Sequence, residues 1–533
     1  MIWQHNYSPV LQSVPLSALV AALPVLVLLV LLGVLRKPAW LAALAGLATA
    51  SAVALGVFGM PVPQWAAAIS YGAAFGIFPI GWIVFSAILL YNITVETGQF
   101  EVLKDSVGRL TDDRRMQALL IAFAFGAFLE GAAGFGTPVA VAAAMLTGLG
   151  FEPFYAAGIC LLANTAPVAF GSIGIPLITL AGITSLPLDR LSAGVGRICA
   201  PVSLFIPAYL ILVMGGWGSL RGVLPAAALC GVVFAGLQFL VSNFIGPELT
   251  DIVSSVGAMG ALVLLLRFWR PAGTVAKVHP VQTRNVWLAW APYGLLVIFV
   301  LLWSYKPLVS VLNQATVNFP WPGLHNQIQR MPPAVAKTVP YEAMYRFNWL
   351  TASGTACFFA AITSALVLRM SPGALLRTLG KTARQLVTAE GTIAMVLALA
   401  YLMNYSGATA TMGLAFAATG VLFPFFSSLL GWLGVFLTGS DTSANALFGN
   451  LQVITANSLK LNPVLMASSN SAGGVMGKMI SLTSVAVAAA ATGMRAGDEG
   501  RLFRFTLKHS IFLASVIGVI VVLYAYVFPT LAP

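Results

Sequence analysis

Apolar stretches of bilayer length recur from one end of this chain to the other. Residues 13–35, 40–60, 69–94, 223–241, 350–367 and 511–527 are each close to the roughly 20 residues a spanning helix needs. In lipid every backbone N–H and C=O must find a partner inside the protein, so helices and closed barrels are the only spanning solutions. Continuous apolar runs of this length are helical. Charged residues make up 8% of the chain, against about 25% in a soluble domain. The sequence therefore predicts an all-α polytopic membrane protein of about twelve to fourteen transmembrane elements. The segment before Ser13 lacks a basic n-region, and the first apolar run is too long for a signal peptide, so it reads as a retained helix.

The net charge of +12 does not point to nucleic acid, because the basic residues gather in short loops between spans. Arg36, Lys37, Arg114, Arg115, Arg221, Arg267, Arg270, Lys277, Arg284, Arg377, Lys381, Arg384, Arg501 and Arg504 fall on one set of loops. The other set holds fewer, among them Arg190, Arg197, Lys306, Arg330 and Arg346. The positive-inside rule makes the first set cytoplasmic, which puts both termini outside and the number of crossings even. Cys160, Cys199, Cys230 and Cys357 stand singly in apolar segments, and His5, His279, His325 and His509 lie near loops or span ends. No metal-ligand spacing, disulfide framework or nucleophilic triad appears, and no phosphate-cradling Gly-Lys-Ser/Thr loop. No metal, cofactor or enzymatic activity is expected.

Two stretches resemble each other. Gly126-Ala-Phe-Leu-Glu-Gly-Ala-Ala-Gly-Phe-Gly-Thr-Pro138, Glu152-Pro153 and Asn164-Thr-Ala-Pro-Val-Ala-Phe-Gly171 are echoed by Gly434-Val-Phe-Leu-Thr-Gly-Ser-Asp-Thr-Ser-Ala-Asn445, Asn462-Pro463 and Asn470-Ser-Ala-Gly-Gly-Val-Met-Gly477. Upstream, Thr97-Gly98 matches Ser406-Gly407 at a similar offset. This divides the chain into a first half, 1–266, with repeat core 116–185, and a second half, 349–533, with repeat core 404–492. Between them, 267–348 holds a cytoplasmic basic loop, one span and an external connection. Paired Gly-, Ser- and Asn-rich interruptions are the best sequence pointer to a transporter binding site, because irregular backbone at membrane depth survives only beside protein or a water-filled cavity. Residues 130–138 and 438–445 read as re-entrant tips or helix breaks in two inverted repeats, and the Asn-Thr-Ala and Asn-Ser-Ala stretches as a second pair of breaks. Such breaks would aim helix N-termini, which attract anions, at one point. The competing reading is close helix packing through small residues.

Of fifteen acidic residues, Glu130, Glu390 and Asp441 fall well inside apolar stretches, where ionisable groups are functional by default. Glu130 and Asp441 lie in the paired breaks. Burial disfavours the charged form of a carboxyl, so either is a candidate proton carrier, with helix capping the alternative role. Lys478 is the basic residue of the second break and could meet a carboxylate substrate; snorkelling, or pairing with Asp441, is the alternative. Gly134, Gly136, Asn164, Thr165, Thr438, Ser440, Thr442, Ser443, Asn470 and Ser471 complete the candidate substrate-binding set, the glycines by close backbone approach and the others by hydrogen bonding.

The runs 126–136, 164–171, Ser242-Asn-Phe-Ile-Gly-Pro-Glu-Leu249, 431–443 and Gly477-Lys-Met-Ile-Ser481 resemble the bacterial L-lactate permease family over nearly the full chain. The resemblance implies proton-coupled uptake of L-lactate, with D-lactate and glycolate as further substrates, across the bacterial inner membrane, and so periplasmic termini. Thr137 stands where the family has a small apolar residue, and Leu482-Thr483 replaces a Pro-Gln pair, which leaves the choice between lactate and glycolate open. The rival readings are a carboxylate or anion channel, a sodium-coupled carboxylate transporter, and an integral-membrane enzyme that lacks catalytic side chains. Membrane lipid, substrate and protons are the expected partners; the sequence sets no oligomeric state.

Overall fold

The computed structural model describes residues 2–134, 136–271, 286–495 and 498–532. Phe135 of the first break, and Lys277, His279 and Arg284 of the expected basic loop, lie outside these residues. Among the described residues eleven helices are long and apolar enough to cross a membrane, or twelve counting the pair Pro153–Ala163 and Val168–Thr184, which bends by 64°. One of the eleven, Leu188–Phe244, has 57 residues, a length of about 85 Å against a hydrocarbon core of about 30 Å. It turns back on itself where Gly215 and Gly216 leave helical geometry. Ser192 Oγ donates to the Ser242 carbonyl at 2.8 Å, and Gly231 packs directly on the Leu204 carbonyl. The two arms are therefore antiparallel, and counting them separately gives the expected number of spans.

Outward faces of the peripheral helices carry bare Leu, Phe and Ile, such as Leu19, Phe205, Leu264 and Ile298. In water so many exposed apolar side chains would be a liability; against lipid they are the low-energy arrangement. Arg114–Ala132, Pro153–Ala163 and Pro463–Lys478 are instead buried almost throughout. These inner helices hold the polar residues.

The two cores share an order of elements: helix, break, helix, tight turn, helix, break, helix. Pro153 and Pro463 each open the third helix, and Gly98 and Gly407 each stand left-handed before a helix upstream. The second pair of breaks departs from expectation. Asn164 does end its helix, whereas Asn470-Ser-Ala lies in the middle of the continuous helix Pro463–Lys478, and the break follows at 479–481. The small residues there serve close packing: Gly431 lies on the Asn470 carbonyl and Gly473 on the Ser428 carbonyl, with no room for a Cβ.

A small β layer is the one departure from all-α among the described residues. Trp3–Gln4 pairs in parallel with Ile328–Arg330, which pairs antiparallel with Val339–Pro340, and Val317–Pro320 pairs antiparallel with Met344–Phe347. This cap fills the connection between the halves and bonds to both. The Tyr71 hydroxyl donates to the Met344 carbonyl at 3.1 Å and the Tyr405 hydroxyl to the Glu342 carbonyl at 2.8 Å. His5 Nε2 bonds the Tyr405 carbonyl at 2.9 Å.

Candidate functional site

Four helix interruptions converge on one cavity of about 200 Å³. After Ala132 the chain turns through Gly134 (φ 59°) and Gly136 (φ 83°) before Thr137–Gly148. After Asn164, Ser172 (φ 47°), Ile173 (φ 59°) and Gly174 (φ 75°) form a left-handed turn, from which 175–184 continue as regular helix. A β-branched residue at positive φ is strained, so the surrounding packing must hold this turn in place. In the second core Gly439 (φ 73°) ends one helix, and Ser440 caps Asp441–Ser458 by accepting from the Ser443 amide at 3.2 Å. Ser481 caps Leu482–Thr492 by accepting from the Ser484 amide, also at 3.2 Å.

The first core lines the cavity with Glu130, Gly136, Ser172 and Pro176, and the second with Ser440, Asp441, Thr442, Lys478, Thr483 and Ser484. It is smaller than the roughly 300–1,000 Å³ of drug-sized sites and suits a small ligand. Gly136, Ile175, Asp441 and Thr483 begin helices at its wall, so the positive ends of several helix dipoles face one small volume. Lys478, at the last residue of its helix, adds an ammonium whose Nζ donates to the Gly439 carbonyl at 2.7 Å. It neither snorkels to the surface nor forms an ion pair with Asp441 among the described residues; it is buried at the wall of the cavity.

Both acids at the wall keep one oxygen without a protein partner. Asp441 Oδ2 accepts from the Ser471 hydroxyl at 2.5 Å and from Asn445 Nδ2 at 3.3 Å, and its Oδ1 has none. Glu130 lies against Gly171, where a Cβ would come within 2.8 Å of Oε1, and its Oε2 has no partner. The site thus gathers the Lys478 ammonium, several helix N-termini and two buried carboxyls around one small volume.

The family model described as L-lactate permease matches residues 17–528. The chain belongs to the L-lactate permease family. It is 43% identical to the glycolate permease GlcA of Escherichia coli over 99% of this chain and 98% of that one. It is also 43% identical, over the full length of both chains, to the L-lactate permeases of E. coli and Bacillus subtilis. Its relatives are permeases, so it is a multi-pass membrane transport protein and not an enzyme. Two solved structures are more distant: MtrF of Neisseria gonorrhoeae (13% identical, 86% of this chain and 83% of that one, TM-score 0.47) and the YdaH transporter of Alcanivorax borkumensis (15%, 87% and 88%, TM-score 0.45).

Of the candidate residues in this family member, Glu130, Gly136, Ser440, Asp441, Thr442 and Lys478 come together at the cavity wall. The others stand behind it. Gly134 packs on Ser172. Thr165 donates to the Leu162 carbonyl at 2.8 Å and Thr438 to the Gly434 carbonyl at 2.7 Å, the self-bonding common for hydroxyls on helices. Asn164 lies near Glu130 but makes no hydrogen bond of ordinary geometry. Asn470 donates to Asn445 Oδ1 at 2.9 Å and accepts from Gln452 Nε2 at 3.0 Å, tying Ser471 and Asp441 into one network. Glu390 lies beside Gly81, away from the cavity.

Sequence reasoning passed over Ser172, Ser484 and, above all, Asp251, and noted Thr483 only as a departure from the family pattern. Asp251 follows Gly246-Pro247-Glu248 and opens the helix Thr250–Phe268. From the sequence, an acidic first turn after a Gly-Pro loop looks like an ordinary solvated helix start.

Proposed function

We propose that this chain is a secondary active transporter that carries L-lactate and related 2-hydroxy monocarboxylates, D-lactate and glycolate among them, in symport with protons. We place it in the bacterial inner membrane with both termini periplasmic. The observation that carries the reading is the meeting of helix N-termini and Lys478 with two buried carboxyls in a single small cavity. Support for the substrate class comes from the relatives, which are named as lactate and glycolate permeases.

In this reading the substrate carboxylate lies toward Lys478 Nζ and the N-terminal ends of helices Thr137–Gly148 and Asp441–Ser458. The hydroxyls of Ser440 and Thr442 meet the 2-hydroxyl. A proton on Glu130 or Asp441 offsets the anion's charge, so that the loaded site crosses the membrane field with little net change. The halves 1–266 and 349–533, joined through 267–348, form inverted repeats that expose the cavity alternately to the two faces. Gly134 is a poor labelling position because a Cβ there would strike Ser172. We therefore pair Ser172→Cys with Ser440→Cys: impermeant thiol reagents should reach them from opposite faces, and lactate should protect both.

The deciding assay is uptake by proteoliposomes under an imposed pH gradient, with a panel of 2-hydroxy acids as competitors. Acid outside should drive labelled lactate above its external concentration, a protonophore should abolish this, and glycolate should compete. Uptake that only equilibrates would mean a channel, and uptake that follows a sodium gradient would replace the proton by sodium.

A further inference from the structure

Behind the first core, outside the cavity lining, lies a third buried acid. Asp251 is 1% exposed, and neither of its carboxylate oxygens has a protein partner among the described residues. Its neighbour is fixed by close packing. At Gly131, the residue after Glu130, an added Cβ would come within 2.7 Å of Asp251 Cβ and 3.2 Å of the Ile252 amide nitrogen. Helix Thr250–Phe268 therefore sits directly on the turn that carries Glu130, and only a residue without a side chain permits the approach. The Glu130 carboxyl lies within electrostatic reach of Asp251, with no direct hydrogen bond between them.

We propose that Asp251 and Glu130 form a proton-sharing pair, in which Asp251 holds the transported proton and hands it to Glu130 as the substrate anion enters the cavity. A lone carboxylate in this position would have neither donor nor counter-ion, which is expensive in a dry interior, and two adjacent carboxylates cannot both be charged at low cost. One proton on the pair meets both requirements. The groups facing Asp251 from the elements packed on it fit this role. Helix Arg114–Ala132 contributes Glu130, and the hairpin Leu188–Phe244 contributes the Cys199 thiol, which also lies within electrostatic reach of Asp441. No cation faces it.

The step balances simply. The two carboxyls make no direct hydrogen bond, so the O–H bond of Asp251 breaks as its proton passes to a bridging water, and that water gives up one of its own protons to form the O–H bond on Glu130 Oε2, which has no protein partner among the described residues. The Asp251 carboxylate is reprotonated by water from the end of the bundle where its helix begins. That end is marked by Glu248, which accepts from the Ser353 hydroxyl at 2.9 Å, and by Arg197, which donates to Asn243 at 2.9 Å and to the Leu531 carbonyl at 2.9 Å. The Ser172–Gly174 turn is held from the same side, since Gly174 packs on Pro247. The loop that precedes Asp251 therefore also buttresses the cavity wall.

This inference rests on the proton-coupled reading, and its test separates the two. The full chain is reconstituted as wild type and as Asp251→Asn, with accumulation under an inward acid gradient measured beside lactate counterflow. Wild type that fails to couple to the pH gradient overturns the transport reading itself. If wild type couples, Asp251→Asn should lose about a hundredfold of gradient-driven accumulation, the low end of what a positioned proton-transfer group contributes, while counterflow persists. Asp251→Asn that accumulates like wild type overturns the pair. Infrared difference spectra taken with and without lactate add a readout that a merely structural role would not move. A lactate-sensitive carboxylic-acid C=O band should vanish in Asp251→Asn and shift in Asp251→Glu. If Asp251→Asn does not fold, the Asp251→Glu spectrum decides, and a band unmoved by that substitution overturns the proposal.

Discussion

The two halves of the cavity are built in opposite styles. On the second-core side most buried polar groups are joined in one network, with Asp441 Oδ1 and Ser468 Oγ the atoms left without a partner among the described residues. Ser427 bonds Gln452 and Ser469, Gln452 bonds Asn470, Asn470 bonds Asn445, and Asn445 and Ser471 both reach Asp441. On the first-core side, Glu130 Oε2, both amide atoms of Asn164, both oxygens of Asp251 and Gln238 Oε1 are buried with no protein partner, beside a strained left-handed turn. A satisfied network rigidifies a core, and a partly satisfied one is costly to hold still. The second core is the fixed wall that positions Asp441 and Lys478. The first core holds more of the buried polar atoms left without a partner among the described residues.

The contrast can be broken by substitution. The largest expected effect is at the acid tied into the network. Asp441→Asn should lower proton-driven lactate accumulation about a hundredfold, the scale of a lost proton carrier, while weakening substrate binding far less. Accumulation at the parental rate would remove Asp441 from coupling and leave Glu130 and Asp251 to carry it. Next comes Lys478→Ala, which removes the ammonium but leaves the helix N-termini. A partly desolvated charge-assisted bond contributes about 1.5–3 kcal/mol, so the half-saturating lactate concentration should rise about tenfold or more. An unchanged value would leave the helix termini to hold the anion alone.

The smallest effect tests the difference in style itself. Asn470→Ala strands Asn445 Oδ1 and leaves Gln452 Nε2 only its bond to the Ser427 carbonyl, and should cost about 1–3 kcal/mol of stability for the buried group left unpaired. Asn164→Ala removes no hydrogen bond of ordinary geometry, so its stability should stay within about 1 kcal/mol of wild type. Denaturant titration of the two variants side by side measures this directly. Equal losses would mean that the first core is as tightly knit as the second.

Much of this was legible in the sequence because the relevant signals are local. Apolar run length gave the spans, and left-handed glycines beside acids gave the breaks around Glu130 and Asp441. Six residues of the cavity wall followed from that pattern. What stayed hidden depends on how distant segments meet. Asn470-Ser-Ala has the composition of a break, yet it stays helical: helix Phe423–Thr438 packs on its backbone through Gly431, and helix Asp441–Ser458 supplies the hydrogen-bond partners of Asn470 and Ser471. Asp251 looks like a solvated helix start until Gly131 is seen lying on its Cβ. Ser172 and Ile173 gave no warning, since nothing in a Ser-Ile pair announces positive φ; only the packing of Gly134 and Pro247 around the turn explains it.

The capping layer has a consequence for how the chain is made. Trp3 and Gln4 find their strand partners at Ile328 and Gln329, and His5 bonds the carbonyl of Tyr405 beside the left-handed Gly407. Trp3, Gln4 and His5 must therefore wait, unpaired, until the segments around Ile328 and Tyr405 have been synthesised and inserted. Burial holds the His5 imidazole down to about 4, so docking this strand requires the neutral ring. Acidifying the compartment from 6.5 towards 4 would protonate the undocked ring first and oppose closure. The capping layer is thus a late seam in assembly, closed only once both halves are present.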